Sequence, residues 1–179
     1  MKIVITGVPG TGKSTLARLL AKKLKCELLR VNEVVVKKKL YTRVDEDGAK
    51  VVKMRALFEE LAKKSGKKKN LVIEGHLACE FKLPAELVIV CRCNPKVLEK
   101  RLVKRKYASV KKSANTMSEM LDYCTILACK NYGEANVFEV DGGLKKEEML
   151  KSALEIVKKK PKEKKAGWVD WSKILFESL

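Results

Sequence analysis

The sequence predicts an α/β fold in three layers, a mainly parallel sheet with helices on both faces. Three observations lead there. Short apolar runs at residues 2–6, 70–73, 86–93 and 136–140 read as buried strands. Stretches with helical spacing of apolar residues lie between them, so successive strands are joined by βα crossovers. The first strand also runs into a glycine-rich loop that leads directly into a helix. At 179 residues the chain is long enough for a single domain, residues 1–179, with a real core.

After the first strand, residues 13–25 carry Leu16, Leu19, Leu20 and Leu24 on one helical stripe. Residues 28–36 are short and β-prone, and they lead into Lys37-Lys38-Lys39. Residues 41–52 are polar, with Asp45-Glu46-Asp47-Gly48 marking a turn. A second helix is expected over 54–64, closed by Ser65-Gly66. The strand at 70–73 ends on Glu74-Gly75-His76, and the strand at 86–93 is followed by Asn94-Pro95, where proline suits a helix start. A helix over 96–106, a polar stretch and a helix over 118–131 follow. The strand at 136–140 is halted by Asp141-Gly142-Gly143, and a long helix spans 146–159. Residues 158–165, broken by Pro161, form a basic linker, and the apolar tail 166–179 is expected to pack back on the body.

No segment is long or apolar enough to cross a bilayer, and the N-terminal apolar run breaks at Gly7 before a signal-peptide core can form. A soluble, intracellular, cytoplasmic protein is expected. Forty Lys+Arg against 22 Asp+Glu leave a charge of +18, which favours contact with nucleotides, RNA or an RNA-rich assembly. Only seven of the basic residues are arginines, and glutamine is absent. That composition is expected of a hyperthermophile, in which part of the lysine excess is solvated surface. The six cysteines show no CxxC pair and no histidine at zinc spacing. They read as small apolar core residues, with a metal site or a disulfide as the alternatives. Cys91 and Cys93 are expected to share one face of their strand.

The strongest chemical signal is Gly7-Val8-Pro9-Gly10-Thr11-Gly12-Lys13-Ser14, a complete G-x-x-x-x-G-K-[ST] between a strand and a helix. Its glycines let backbone N–H groups converge on phosphate oxygens, and the helix N-terminus adds partial positive charge. Lys13 is placed to reach the β- and γ-phosphates of ATP, and the Ser14 hydroxyl to hold Mg²⁺. Such a loop needs a second carboxylate at a neighbouring strand end, and Glu74 is the acid so placed. His76, the only histidine, stands two residues on. It either orients the attacking group or merely caps the loop. Arg101 and Arg105 lie four apart on one helix face; they either embrace a triphosphate or form a solvated basic face.

These residues resemble the adenylate kinase isoenzyme 6 family, also called ribosome-assembly nucleoside-triphosphatases. The match is carried by the phosphate loop over 7–15, by Glu74-Gly75-His76, and by the run Leu98, Arg101, Leu102, Arg105, Tyr107, Lys111, Asn115 and Glu119. It covers roughly residues 1–157. The resemblance implies a nucleoside-monophosphate-kinase-like core with a monophosphate-binding segment near 30–54 and a short lid near 104–114. It implies ATP + AMP ⇌ 2 ADP with slow ATP hydrolysis, using Mg²⁺. It further implies a role in small ribosomal subunit maturation, with a small-subunit ribosomal protein and rRNA as partners. Family nucleotide contacts carry over to Gly10, Gly12, Lys13, Ser14, Thr15 and Arg105.

The chain departs from the family pattern at three places. Glu74 replaces the aspartate of many members, Val36 stands where an AMP-gripping arginine is expected, and Lys53 replaces an acid, while the acidic Asp45-Glu46 is kept. Three readings follow: an adenylate-kinase-type phosphotransferase and ATPase, a nucleotide-switched chaperone ATPase, and a small-molecule kinase of another substrate.

Overall fold

Every strand of the central sheet runs parallel to its neighbours, as crossover connections require. In a computed structural model of the chain, which describes residues 1–45, 48 and 50–177, the elements in chain order are β1 (Lys2–Thr6), α1 (Lys13–Leu24), β2 (Glu27–Arg30), α2 (Val31–Lys37), β3 (Tyr41–Val44), β4 (Lys50–Val52), α3 (Met54–Gly66), β5 (Leu71–Glu74), β6 (Leu87–Arg92), α4 (Pro95–Lys104), α5 (Ser109–Met120), α6 (Tyr123–Tyr132), β7 (Val137–Asp141), α7 (Lys146–Lys159) and α8 (Ser172–Phe176). The sheet order is β2-β5-β1-β6-β7. The chain therefore starts in the middle, fills one side and then the other. In such sheets ligands bind outside the carboxyl ends of the strands beside the reversal.

Helices cover both faces. On one, Leu16 and Leu20 of α1 and Met149, Ala153 and Ile156 of α7 pack on Ile3, Ile5, Ile89 and Phe138. On the other, residues of α2, α3, α4 and α6 pack on Val4, Ile73, Val88 and Val90. This is the nucleoside-monophosphate-kinase-like α/β sandwich, built on burial of apolar strand faces.

The structure corrects three local expectations and sharpens two. Residues 28–36 are not one β segment: the strand ends at Arg30, and Val31–Lys37 is helical. Val31, Val34 and Val35, at helical spacing, are buried together, so packing overrides the strand preference of β-branched side chains. The polar 41–52 segment forms an antiparallel hairpin, β3 with β4. The turn between them is closed by Gly48 N donating to Asp45 O at 2.8 Å; Glu46 and Asp47 lie outside the described residues, as do Ser178 and Leu179 of the tail. The helix α3 ends at Gly66, where Ser65-Gly66 is expected to close it. The helix expected over 118–131 is two, α5 and α6, broken where Asp122 takes φ 54°. Finally, Cys91 and Cys93 lie in different core clusters on opposite faces, because strand geometry stops at Arg92.

Candidate nucleotide site

The glycine-rich loop turns the chain from β1 into α1. Gly12, at the start of α1, has φ 101°, a conformation that side chains rarely adopt, and caps the helix with no side-chain hydrogen bond and no acid in the first turn. The N–H groups of Lys13 and Ser14 and the positive end of the helix are thus left for an anion.

Lys13 is buried, and its Nζ donates to Val8 O at 3.4 Å, inside the loop. Burial lowers its pKa, and the charge of Glu74 works against that shift. The Ser14 hydroxyl donates to Glu74 Oε1 at 2.9 Å. Parallel register brings this about: Glu74, last residue of β5, stands opposite Ile5 of β1, one residue from the strand end. Gly75 N then donates to Ile5 O at 3.2 Å, holding the chain beside β1 as it turns into a short 3₁₀ helix, His76–Cys79. The His76 carbonyl accepts from Thr6 Oγ1 at 3.2 Å. Its imidazole is pushed down to a pKa of about 4 by burial, with Lys13 and Lys111 adding to the effect, so it is neutral at physiological pH.

Gly10, Gly12, Lys13, Ser14, Thr15 and Arg105 surround a small cavity of about 30 Å³. A larger cavity of about 620 Å³ adjoins it, sharing Gly10, Gly12, Thr15 and Arg105. Its further walls are Arg101 and the segment 142–149, including Gly142, Leu144, Lys145 and Met149. The structure thus gathers every residue singled out in the glycine-rich loop with both arginines, and sets Glu74 on Ser14. Arg101 has a specific task there. Its Nη1 donates to Gly10 O at 3.3 Å and to Gly142 O at 2.8 Å, tying the loop to the turn after β7.

Two features of the site went unread in the sequence. Asp141-Gly142-Gly143 looked like a strand stop, yet a Cβ on Gly142 would lie 1.7 Å from Thr11 O, so this turn is packed directly against the glycine-rich loop. Its place after the last strand of a parallel sheet was the available signal. The other is Arg92, a charge inside an apolar strand, which is buried against Glu119 and Glu139.

A family model described as an AAA domain matches residues 3–122. A protein of Methanocaldococcus jannaschii named "Putative adenylate kinase" is 35% identical over 100% of this chain and 97% of its own. The chain belongs to this adenylate-kinase-like P-loop family. A protein of the same name from Pyrococcus furiosus is 36% identical over 100% of this chain and 96% of its own. A shikimate kinase structure from Aquifex aeolicus superposes with a TM-score of 0.60 at 23% identity, covering 88% of this chain and 96% of that one, a likeness of fold alone. For this adenylate-kinase-like protein, nucleotide kinase chemistry and ATP binding follow from the family. Among the described residues, no helix is long and apolar enough to cross a membrane.

The donor set also fits a magnesium ion. Among the described residues no group of three or more His, Cys, Asp or Glu is arranged to hold a metal. A hydroxyl and a carboxylate side by side, Ser14 and Glu74, match an ion that takes most of its oxygens from phosphates and water.

Proposed function

We propose that the protein transfers the γ-phosphoryl group of ATP to AMP, forming two ADP, and hydrolyses ATP slowly when water takes the place of AMP. The observation that carries this reading is the Ser14–Glu74 pair beside buried Lys13, at the mouth of a cavity walled by Arg101 and Arg105. Lys13 and Arg105 supply positive charge where negative charge is carried through the transition state. Gly10, Gly12 and Thr15 cradle phosphates with backbone N–H groups, and Arg101 keeps that cradle in place. Ser14 and Glu74 would hold magnesium, which would supply charge neutralisation at the phosphate oxygens. The AMP phosphate is already an oxyanion, so the transfer needs no general base; neutral His76 serves hydrolysis by orienting water.

The segment 30–54, now α2 and the β3–β4 hairpin, is the proposed AMP side, and 104–114 the lid. We place the activity in the cytoplasm, in small ribosomal subunit maturation, with a small-subunit ribosomal protein and rRNA as partners. The charge of +18 supports a polyanionic partner. The chaperone ATPase reading stays alongside, because Val36 and Lys53 stand where an AMP-gripping arginine and an acid are expected. A coupled assay of ADP formation with and without AMP separates them. A rise on adding AMP supports the kinase; a rise only with rRNA or the ribosomal protein supports the chaperone.

A further inference from the structure

The chain after α7 runs back along the edge of β7 as a strap. Ala166 N donates to Val137 O at 3.1 Å, and Phe138 and Lys165 form an antiparallel bridge. Its apolar burial is small: Val169 is buried, but Trp168 is 49% exposed and Phe176 73%. Hydrogen bonds to two buried carboxylates hold it instead. Gly167 N and Val169 N donate to Glu139 Oε2 at 3.2 and 3.1 Å, and Trp171 Nε1 donates to Glu119 Oε1 at 3.2 Å.

Those carboxylates surround Arg92. Its Nε donates to Glu119 Oε1 at 2.8 Å and its Nη1 to Glu139 Oε1 at 2.5 Å, while Asp122 and Thr125 complete the shell. Three carboxylates face one guanidinium, and two of the three are fully buried. The excess negative charge needs further donors, because an uncompensated charge in the interior is expensive. The strap provides three of them. Cys93 N, donating to Glu119 Oε1 at 3.0 Å, provides another.

The same cluster is one step from the nucleotide cavity. The Arg92 carbonyl accepts from Gly142 N at 2.7 Å, and the Gly142 carbonyl accepts from Arg101, which also holds Gly10. Glu119 lies in the last turn of α5, which packs against α4, the helix that carries Arg101. We propose that Glu119 and Trp171 are positioning residues for the nucleotide site: the strap keeps Glu119 seated on Arg92 and Cys93, and so fixes α5 and the Gly142 turn where the site uses them. This rests on the reading of the cavity as an ATP site.

Both tryptophans of the chain are in the strap, so intrinsic emission reports it alone. The experiment titrates the wild-type protein with ATP·Mg²⁺, reading tryptophan emission and, separately, the rise in melting temperature that binding produces. Trp171→Phe keeps an aromatic ring but removes the N–H donor, and its KM and kcat are measured beside the wild type. The expected result is an emission change that saturates with ATP, and a KM for ATP raised about five-fold or more in the variant, the usual size of a coupling between linked sites. A melting-temperature rise with no emission change, together with wild-type KM and kcat in Trp171→Phe, overturns the proposal and leaves the strap a structural clasp. No melting-temperature rise at all removes the ATP reading and the proposal with it. The wild-type emission measurement stands even if Trp171→Phe folds poorly.

Discussion

Ser14 and Glu74, sixty residues apart in the chain, share a 2.9 Å hydrogen bond at the point where β5 ends beside the start of α1. The contact couples the glycine-rich loop to the strand that carries the acid, and His76 follows two residues later. Glu74 and His76 give a way to separate the two proposed activities, transfer to AMP and hydrolysis. Glu74→Gln removes charge from the pair proposed to hold magnesium and is expected to lower both transfer to AMP and ATP hydrolysis. His76→Ala is expected to lower hydrolysis by about 10²-fold, in the usual range for a group that positions or deprotonates water, with a much smaller loss of transfer. The measurement is both rates on each variant at saturating ATP·Mg²⁺. Equal losses in His76→Ala would assign the histidine to the shared site.

Lys13 gives the simplest loss of function. Lys13→Ala is expected to cut turnover at least 10²–10³-fold, as removal of one preorganised electrostatic contact does, and to leave the cooperative melt in place. Turnover near the wild-type level would refute the assignment of the phosphate site.

Gly142 tests the close packing of the last turn on the glycine-rich loop. The methyl group of Gly142→Ala would meet Thr11 O at 1.7 Å and Arg92 O at 3.1 Å. Backbone must move, so a destabilisation of about 1–3 kcal/mol or more is expected, with weaker ATP binding. Thermal melts and an ATP titration measure it. A variant as stable as the wild type, with unchanged affinity, would show that the turn is not in contact with the loop.

These relationships differ in how far the sequence displays them. The glycine-rich loop is one contiguous stretch between a strand and a helix, so its chemistry is local and readable. Glu74 is readable because the strand before it is short, apolar and ends there. Arg92 is not, because its partners Glu119 and Glu139 come from 27 and 47 positions away, and no local pattern pairs them. Gly142 is a turn glycine until the fold brings Thr11 against it. The valine-rich 31–37 segment misleads because its helical state depends on packing against α3 and the sheet, which a propensity does not contain. Arg101 was legible as a residue of the site, but its bonds to two carbonyls were not.

Cysteine reactivity tests the core assignment. Burial raises the thiol of Cys91 to about 12 and that of Cys93 to about 11, so neither forms thiolate at neutral pH. Cys26 and Cys129 are half-buried and the other four are buried. Thiol titration at neutral pH is expected to find two reactive groups in the native protein and six after unfolding. Rapid native labelling of Cys91 or Cys93, identified by peptide mass, would contradict the burial of that strand.

The most direct test of the central claim follows the phosphoryl group itself. Wild-type protein is supplied with ATP labelled at the γ-phosphate, with AMP and Mg²⁺, and the products are separated. The account predicts label in the β-phosphate of newly formed ADP, with two ADP produced for each AMP consumed. Label recovered only as inorganic phosphate at every AMP concentration, with AMP unconsumed, would contradict it.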